Sequence, residues 1–413
     1  MSDELTRMRE RLAAKVVATH RIGSERVAAA LHDVPRHLFL PGQRPEAAYR
    51  DDAIVTKRDE AGQPISSSSQ PAIMAIMLDQ LDLAPGQRVL EIGAGTGYNA
   101  ALISHMVGPS GQVTSVDIDP ELVATAREHL ARAEFGDVTV ACADGAEGYP
   151  ERAPYDRIIA TVGVSDLAPA WLGQAGPQAR IVVPLDVRGT QVSVAFERAA
   201  PGGPWTSRSL APCGFMRMRG SLAGPERVVT LAPGLFLLLP DGTGEADAGM
   251  LAGPSVSHPT SVQATVPGSG PVFWGLGLWL AAHEPRSCRL NDERPPRRRG
   301  ASGPRLPGAP LRARGWHSTV GLLDAGGLAI LTSAAFAGQA GLLTLGITGF
   351  GPDAAQLAAD LAAHVQAWGE AGRPGLAGLH IDAYPRSSAD IPAPDRDVMI
   401  MERPGTRFAV YHD

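Results

Sequence analysis

The sequence predicts an α/β protein: a Rossmann-like, doubly wound, mostly parallel sheet followed by a smaller α+β domain. Three observations carry this reading. Short apolar strands alternate with amphipathic helices from about residue 88 to 185. The first of those strands runs into three glycines at alternating positions, then into a helix. Beyond about residue 220 the alternation stops and the composition shifts. With 413 residues the chain has length for two domains, placed here at 1–220 and 221–413.

The elements follow in order. Leu5, Met8, Leu12 and Val16 recur at helical spacing, and SERVAAALHDV continues helically until Pro35. From Pro41 to Pro71 the chain is polar and reads as loop, ending in ISSSSQP. Ile73, Met74, Met77, Leu78 and Leu81 form the apolar stripe of the next helix. RVLEI (88–92) is a strand, 98–107 a helix and QVTSVD (112–117) a second strand. Asp119 caps a helix that has Pro120 at its first position. VTVAC (138–142), YDRIIA (155–160) and ARIVVPL (179–185) are further strands, and QVSVAFE (191–197) a late antiparallel one. In the second domain a helix starts at Asp353, with Leu357, Leu361, Val365 and Trp368 inward and Asp353 with Gln356 as a capping box.

Composition excludes several classes. Hydrophobic residues are 44% and charged residues 19%, which excludes a disordered chain. A net charge of −6 argues against a nucleic-acid partner. Only Lys15 and Lys57 of the 37 basic residues are lysine. Cys142, Cys213 and Cys288 are far apart and form no framework, and the eleven histidines show no ligand spacing, so no metal is expected. The charged N-terminus lacks an apolar core, and no stretch of about 18 apolar residues occurs. A cytoplasmic protein without a membrane partner is therefore expected. Nine arginines fall between Arg286 and Arg314, read as a solvated run rather than a grip for an acidic peptide. Trp274, Trp279 and Trp316 are read as core rather than peptide groove, and His32 and His37 as structural.

The chemistry lies in VLEIGAGTGYNAAL. Gly93, Gly95 and Gly97 at the carboxyl end of a strand let backbone approach a ligand. A dinucleotide fingerprint needs glycine where Tyr98 stands, so it fails. The pattern E-x-G-x-G-x-G, starting at Glu91, is instead that of class I S-adenosylmethionine methyltransferases. Asp117, at the next strand end, can accept from two ribose hydroxyls. Asp144, in Ala143-Asp144-Gly145, can bond an adenine amino group.

Further motifs extend the likeness. HDVPRHLFLPG (32–42), AAYRDDAI (47–54), GQPISSSSQP (62–71), APYDRIIATVGVSDLAPAWL (153–172) and ARIVVPL resemble those of protein-L-isoaspartate O-methyltransferases, over about residues 5–220. The resemblance implies S-adenosylmethionine as cofactor, S-adenosylhomocysteine as product, and esterification of a damaged aspartyl carboxylate that collapses to succinimide. It implies cofactor contacts at Glu91, Gly93, Gly95, Gly97, Tyr98, Asp117, Ile118, Asp144, Gly145 and Thr161. Substrate contacts are implied at Ser67, Gln70 and Val162. By position the carboxylate-orienting serine maps to Ser69, with Ser68 beside it. The ISSSSQP loop is longer than usual, which leaves the choice of serine open.

The residues beyond 220 depart from the family's ordinary length. Extended members are similar to methyltransferases encoded beside ribosomally synthesised, modified peptides (lanthipeptides, graspetides and lasso peptides), and ITGFGPDAAQLAADLAAHVQAW resembles that subgroup. The first expectation is therefore an enzyme that esterifies an intact aspartate in a cyclised peptide, giving succinimide or isoaspartate, with 221–413 recognising that peptide. The alternative is general isoaspartate repair, which would make 221–413 dispensable.

Overall fold

The computed structural model describes residues 2–60, 62, 64–200, 202–240, 246, 255–258, 265–267, 270–292, 312–313, 316–335, 342–387 and 398–413. Helices α1 (Ser2–His20) and α2 (Glu25–Asp33) open the chain. The Ser24 hydroxyl caps α2 by accepting from the Val27 amide at 3.3 Å. The short α3 (Pro45–Ala48) follows. The stretch read as loop then contains a hairpin, β1 (Ile54–Arg58) and β2 (Pro64–Ser68). Sequence periodicity missed it because the inward positions of β2 are Ser66 and Ser68, which are buried on polar partners instead of an apolar core.

Helix α4 (Pro71–Leu81) leads into the alternating region: β3 (Arg88–Ile92), α5 (Tyr98–Val107), β4 (Gln112–Asp117), α6 (Pro120–Arg132), β5 (Thr139–Cys142), β6 (Tyr155–Ala160), α7 (Pro169–Gln174), β7 (Ala175–Val187), β8 (Thr190–Arg198) and β9 (Trp205–Pro212). Strands β5-β4-β3-β6-β7 are parallel in that spatial order, and β8 and β9 continue the sheet antiparallel. The chain winds outward through β4 and β5 and then crosses to β6. The carboxyl ends of β3 and β6 therefore flank a topological switch point, where open α/β sheets bind ligands.

A second, antiparallel sheet follows. It comprises β10 (Arg227–Ala232), β11 (Leu235–Leu239), β12 (Ser255–His258), β13 (Thr265–Pro267), β14 (Ser287–Asp292), β15 (Arg312–Ala313), β16 (Trp316–Asp324), β17 (Gly327–Ala335) and β18 (Leu342–Phe350). Helix α8 (Gly277–His283) precedes β14, and α9 (Ala354–Glu370) covers the sheet with Leu357, Leu361, Val365 and Trp368 buried. The expected capping box is not formed. Asp353 makes no side-chain cap bond, and the Gln356 amide donates to Asp360 at 2.8 Å.

The division at residue 220 needs correction. The last strands, β19 (Leu379–Pro385), β20 (Met399–Glu402) and β21 (Thr406–His412), join the first sheet, with β19 pairing against β9 at Asp382–Thr206 and Ala383–Trp205. They cover an edge that would otherwise offer unpaired backbone. Ile381, Phe408 and Val410 share one buried cluster with Phe196, Trp205 and Ile158. The α+β insertion is thus enclosed by strands of the catalytic sheet.

The arginine run is only partly a run. Arg286 pairs with Glu284 at 2.7 Å and Asp360 at 3.0 Å, and Arg289 donates to Ser318 and to the Gly189 carbonyl. Arg294, Arg297, Arg298, Arg299, Arg305 and Arg314, like the side chains of Arg312 and Trp316, lie outside the described residues. Trp274 donates to the Gln191 carbonyl, and Trp279 stacks on His283. Among the described residues no helix is long and apolar enough to cross a membrane, and no group of three His, Cys, Asp or Glu is placed to hold a metal.

Candidate active site

The glycine loop turns at the end of β3. Gly93 has φ +101° and Gly95 φ +52°, conformations that side-chain-bearing residues rarely adopt. A Cβ on Gly93 would sit 2.9 Å from the Thr161 Oγ1 and 3.1 Å from Val162, so the loops after β3 and β6 touch at the switch point. The Thr161 hydroxyl donates to the Gly93 carbonyl at 2.8 Å and fixes this junction. Gly97 serves packing instead: its Cβ would meet the Ala126 carbonyl and Leu130 of α6 at 3.2 Å.

Two expected ligand contacts lie beneath the loop. Glu91 is fully buried, accepting from Asn99 at 2.8 Å and Ser115 at 2.5 Å, so it props the loop from below. Tyr98 is also buried, packed on Phe39 with the Arg36 guanidinium over its ring. Burial pushes the Glu91 carboxyl up from 4.5 to about 7, against the two hydrogen bonds that oppose it. An unfolded glutamate ionises at lower pH than this one. The folded state therefore holds the extra proton between those values, and its contribution is full below about 4.5 and lost as pH rises through about 7. Glu91→Gln should accordingly gain on the parent by about 3 kcal/mol between pH 4 and pH 8. Chemical denaturation of both proteins across that range measures it.

Asp117 ends β4 with its side chain 9% exposed. One oxygen accepts from the Gly95 amide and the other from the Asp119 amide, both at 3.1 Å. Each oxygen keeps a second lone pair, which suits a vicinal diol. Ile118, 38% exposed, presents an apolar side chain next to it. At the end of β5, Asp144 accepts from Ala146 at 3.0 Å and from the Ser221 amide and hydroxyl at 3.1 and 2.9 Å. Its carboxylate is already engaged by the segment that follows β9. Burial raises the Asp144 pKa, but these bonds outweigh it and hold the group below the usual range. Gly145 packs so closely that a Cβ would lie 2.5 Å from Ile92.

The hairpin β1–β2 lies over the glycine loop. A Cβ on Gly95 would be 3.7 Å from the Ser67 carbonyl. Side chains alternate along β2, so Ser66 and Ser68 point inward, buried. The Thr56 hydroxyl donates to Ser66 at 3.2 Å, and Arg36 donates to Ser68 at 3.4 Å. Ser68 is thus withdrawn from any substrate, contrary to expectation, while Ser67 and Ser69 are half-buried. Gln70 is committed as well: its amide donates to the backbone and carboxylate of Asp51, both at 3.1 Å.

Sequence reasoning missed the residue that organises this region. Arg36, in the motif between His32 and His37, is fully buried. It donates to the carbonyls of Ala48, Arg50, Asp52 and Ser69 at 2.9–3.2 Å. These bonds tie the N-terminal motif to the serine hairpin. The two flanking histidines stay structural, His37 bonding Tyr49 and His32 bonding Asp33. Asp51 was also missed; it caps α4 by accepting from the Ala72 amide at 2.9 Å. Acid–Arg–carbonyl networks leave no periodic trace in sequence, so only the motif match pointed here.

Two half-buried glycines beside the Asp117 carboxylate and the apolar Ile118 side chain are compatible with the adenosyl and amino-acid parts of S-adenosylmethionine. The family model for protein-L-isoaspartate(D-aspartate) O-methyltransferases matches residues 7–218. The chain belongs to this family. It is a protein carboxyl methyltransferase dependent on S-adenosylmethionine. The protein-L-isoaspartate O-methyltransferase of Hyperthermus butylicus is 38% identical over 226 residues, 53% of this chain and 91% of that protein. That of Methanopyrus kandleri is 40% identical over 197 residues, 48% and 84% of the two chains.

A solved structure titled protein-L-isoaspartate O-methyltransferase shares the fold at 22% identity, covering 91% of this chain and 96% of its own, with a TM-score of 0.50. That likeness runs past residue 220. The fold of the later residues is thus shared with a protein so titled.

Proposed function

We propose that this methyltransferase acts on isoaspartyl carboxylates of damaged proteins or peptides. The observation that supports it most is the serine hairpin lying directly over the glycine cradle, with the Ser67 carbonyl 3.7 Å from where a Gly95 Cβ would stand, in a chain of this family. In this reading Asp117 accepts from the ribose, Gly93 and Gly95 admit the amino-acid part, and Ile118, Asp144 and Gly145 border the adenine. Thr161 and Val162 form the wall between the cofactor and the substrate. Glu91, Gly97 and Tyr98 support these groups from beneath.

When bound, S-adenosylmethionine supplies a methyl group on an electrophilic sulfonium. The protein has little acid–base work, because a carboxylate is already a nucleophile at neutral pH. Its residues hold oxygen and methyl in line and keep water out, which is catalysis by proximity. Ser69 donates its hydroxyl to one carboxylate oxygen, and Arg36 fixes the backbone that carries it. Ser69→Ala should lower kcat about 10- to 100-fold, the worth of a hydrogen bond to a charged group, with little change in cofactor affinity. An unchanged kcat in steady-state assays moves the role to Ser67 or to backbone donors.

The unit between β9 and β19 would then shape which peptides enter. Esterification of an intact aspartate in a cyclised, ribosomally made peptide, with succinimide as product, is the competing reading. Equal concentrations of a linear isoaspartyl peptide and a ring-constrained aspartyl peptide separate the two. Faster turnover of the linear isoaspartyl substrate is expected; methylation of the constrained aspartate alone would establish tailoring.

A further inference from the structure

Two separate segments cover the cleft, and both reach the same carboxylate. On one side Lys57 of β1 donates to the two Asp119 oxygens at 2.9 and 2.7 Å and to Glu121 at 2.7 Å. Lys57 pairs with Ser66 across the hairpin, so holding Lys57 holds the serine strand. On the other side Arg219, in the segment leaving β9, lies 3.6 Å from Asp119 and 3.9 Å from Asp117. Two residues on, Ser221 grips Asp144. A Cβ at Gly220 (φ +89°) would lie 2.8 Å from that carboxylate, so this segment fits closely over the end of β5.

Asp119 is itself firmly placed. It caps α6, accepting from the amides of Glu121 and Leu122 at 3.1 and 3.4 Å, and its side chain is 9% exposed. Lysine here is notable in a chain that otherwise uses arginine. A compact ammonium can sit between two carboxylates, where a planar guanidinium would demand paired geometry.

We infer that Asp119 is a positioning residue, the common anchor through which the serine hairpin and the segment after β9 close together over the cofactor. The inference rests on the cofactor placement proposed above. Asp119 touches no ligand in this arrangement. Its effect is on how fast the closed site opens, and hence on release of S-adenosylhomocysteine.

The test uses the full chain with Asp119→Asn, Lys57→Met, the double variant and Lys57→Arg. Asparagine keeps an acceptor for the α6 cap, so the fold survives. Two readouts apply: S-adenosylhomocysteine dissociation by stopped-flow displacement, and hydrogen exchange of residues 54–68 without cofactor. Asp119→Asn and Lys57→Met should each speed release about fivefold, the scale of a partly exposed ion pair. The double variant should be no faster than Asp119→Asn alone, because that substitution already removes the Lys57 pair together with the Arg219 contact. Lys57→Arg keeps the charge but not the compact ammonium, so it should restore only part of the slow release, and the hairpin amides should exchange faster in both single variants. Unchanged release, or additive effects in the double variant, would overturn the inference. Asp117→Ala serves as the separate control. If it retains S-adenosylhomocysteine, the cofactor placement fails; if it loses the ligand while Asp119→Asn releases normally, only the anchor fails.

Discussion

A chain ending at residue 220 is expected to be insoluble or unfolded, although residues 7–218 span the whole family match. The truncation removes β19, β20 and β21 from the ten-stranded sheet and leaves β9 as a bare edge. It strips Ile381, Met401, Phe408 and Val410 from the cluster that includes Phe196 and Trp205. Each large apolar side chain is worth about 1.5–3 kcal/mol, so together they approach the ~5–15 kcal/mol that holds a domain folded. The loss also reaches the site. Buried Asp166, in the loop after β6, accepts from the Gly405 amide at 2.6 Å, and Thr406 donates to the Leu167 carbonyl at 3.1 Å. Without that hairpin the loop carrying Thr161 and Val162 loses its outer support. Soluble yield and thermal melting of the truncated chain measure this. A cooperative melt with full cofactor binding would show the extension to be a detachable appendage.

The second large effect is at the cradle. Gly95→Val and Asp117→Ala should each abolish S-adenosylhomocysteine binding by calorimetry while the protein stays folded. At Gly95 the space is adequate, with the nearest atom 3.7 Å away, so the penalty is conformational: φ +52° is costly for a β-branched residue. At Asp117 the loss is chemical. The carboxylate orients the Gly95 amide and, in the proposed placement, accepts from the ribose, and alanine supplies neither. Circular dichroism distinguishes lost binding from lost fold.

The parallel half of the fold was legible because its buried strands are short apolar runs, with β3 running into Gly93 and β4 ending at Asp117, and helices such as α6 carry one apolar stripe. RVLEI, QVTSVD and the stripe ending in Trp368 lie where periodicity put them. Elements built on polar burial were not legible. The serine strand β2 has no apolar alternation, and Arg36 stabilises its neighbours through carbonyls that no side-chain pattern reveals. Nor does sequence show that β19 to β21 return to β9, since pairing between residues about 180 apart is set by edge geometry and not by local pattern. At the site, the residue types were legible and their depth was not. Glu91 and Tyr98 sit in the cofactor motif yet face inward, and Ser68 is withdrawn on Arg36.

In the proposed reaction an isoaspartyl carboxylate takes the methyl group of S-adenosylmethionine between the glycine loop and the serine hairpin. Matched linear peptides differing only in aspartyl or isoaspartyl linkage, incubated with the full chain and methyl-labelled S-adenosylmethionine, test it by mass spectrometry. One labelled methyl on the isoaspartyl peptide, followed by loss of methanol, and none on the aspartyl peptide is the expected outcome. Label on the aspartyl peptide alone, or on neither while S-adenosylhomocysteine still binds, would contradict it.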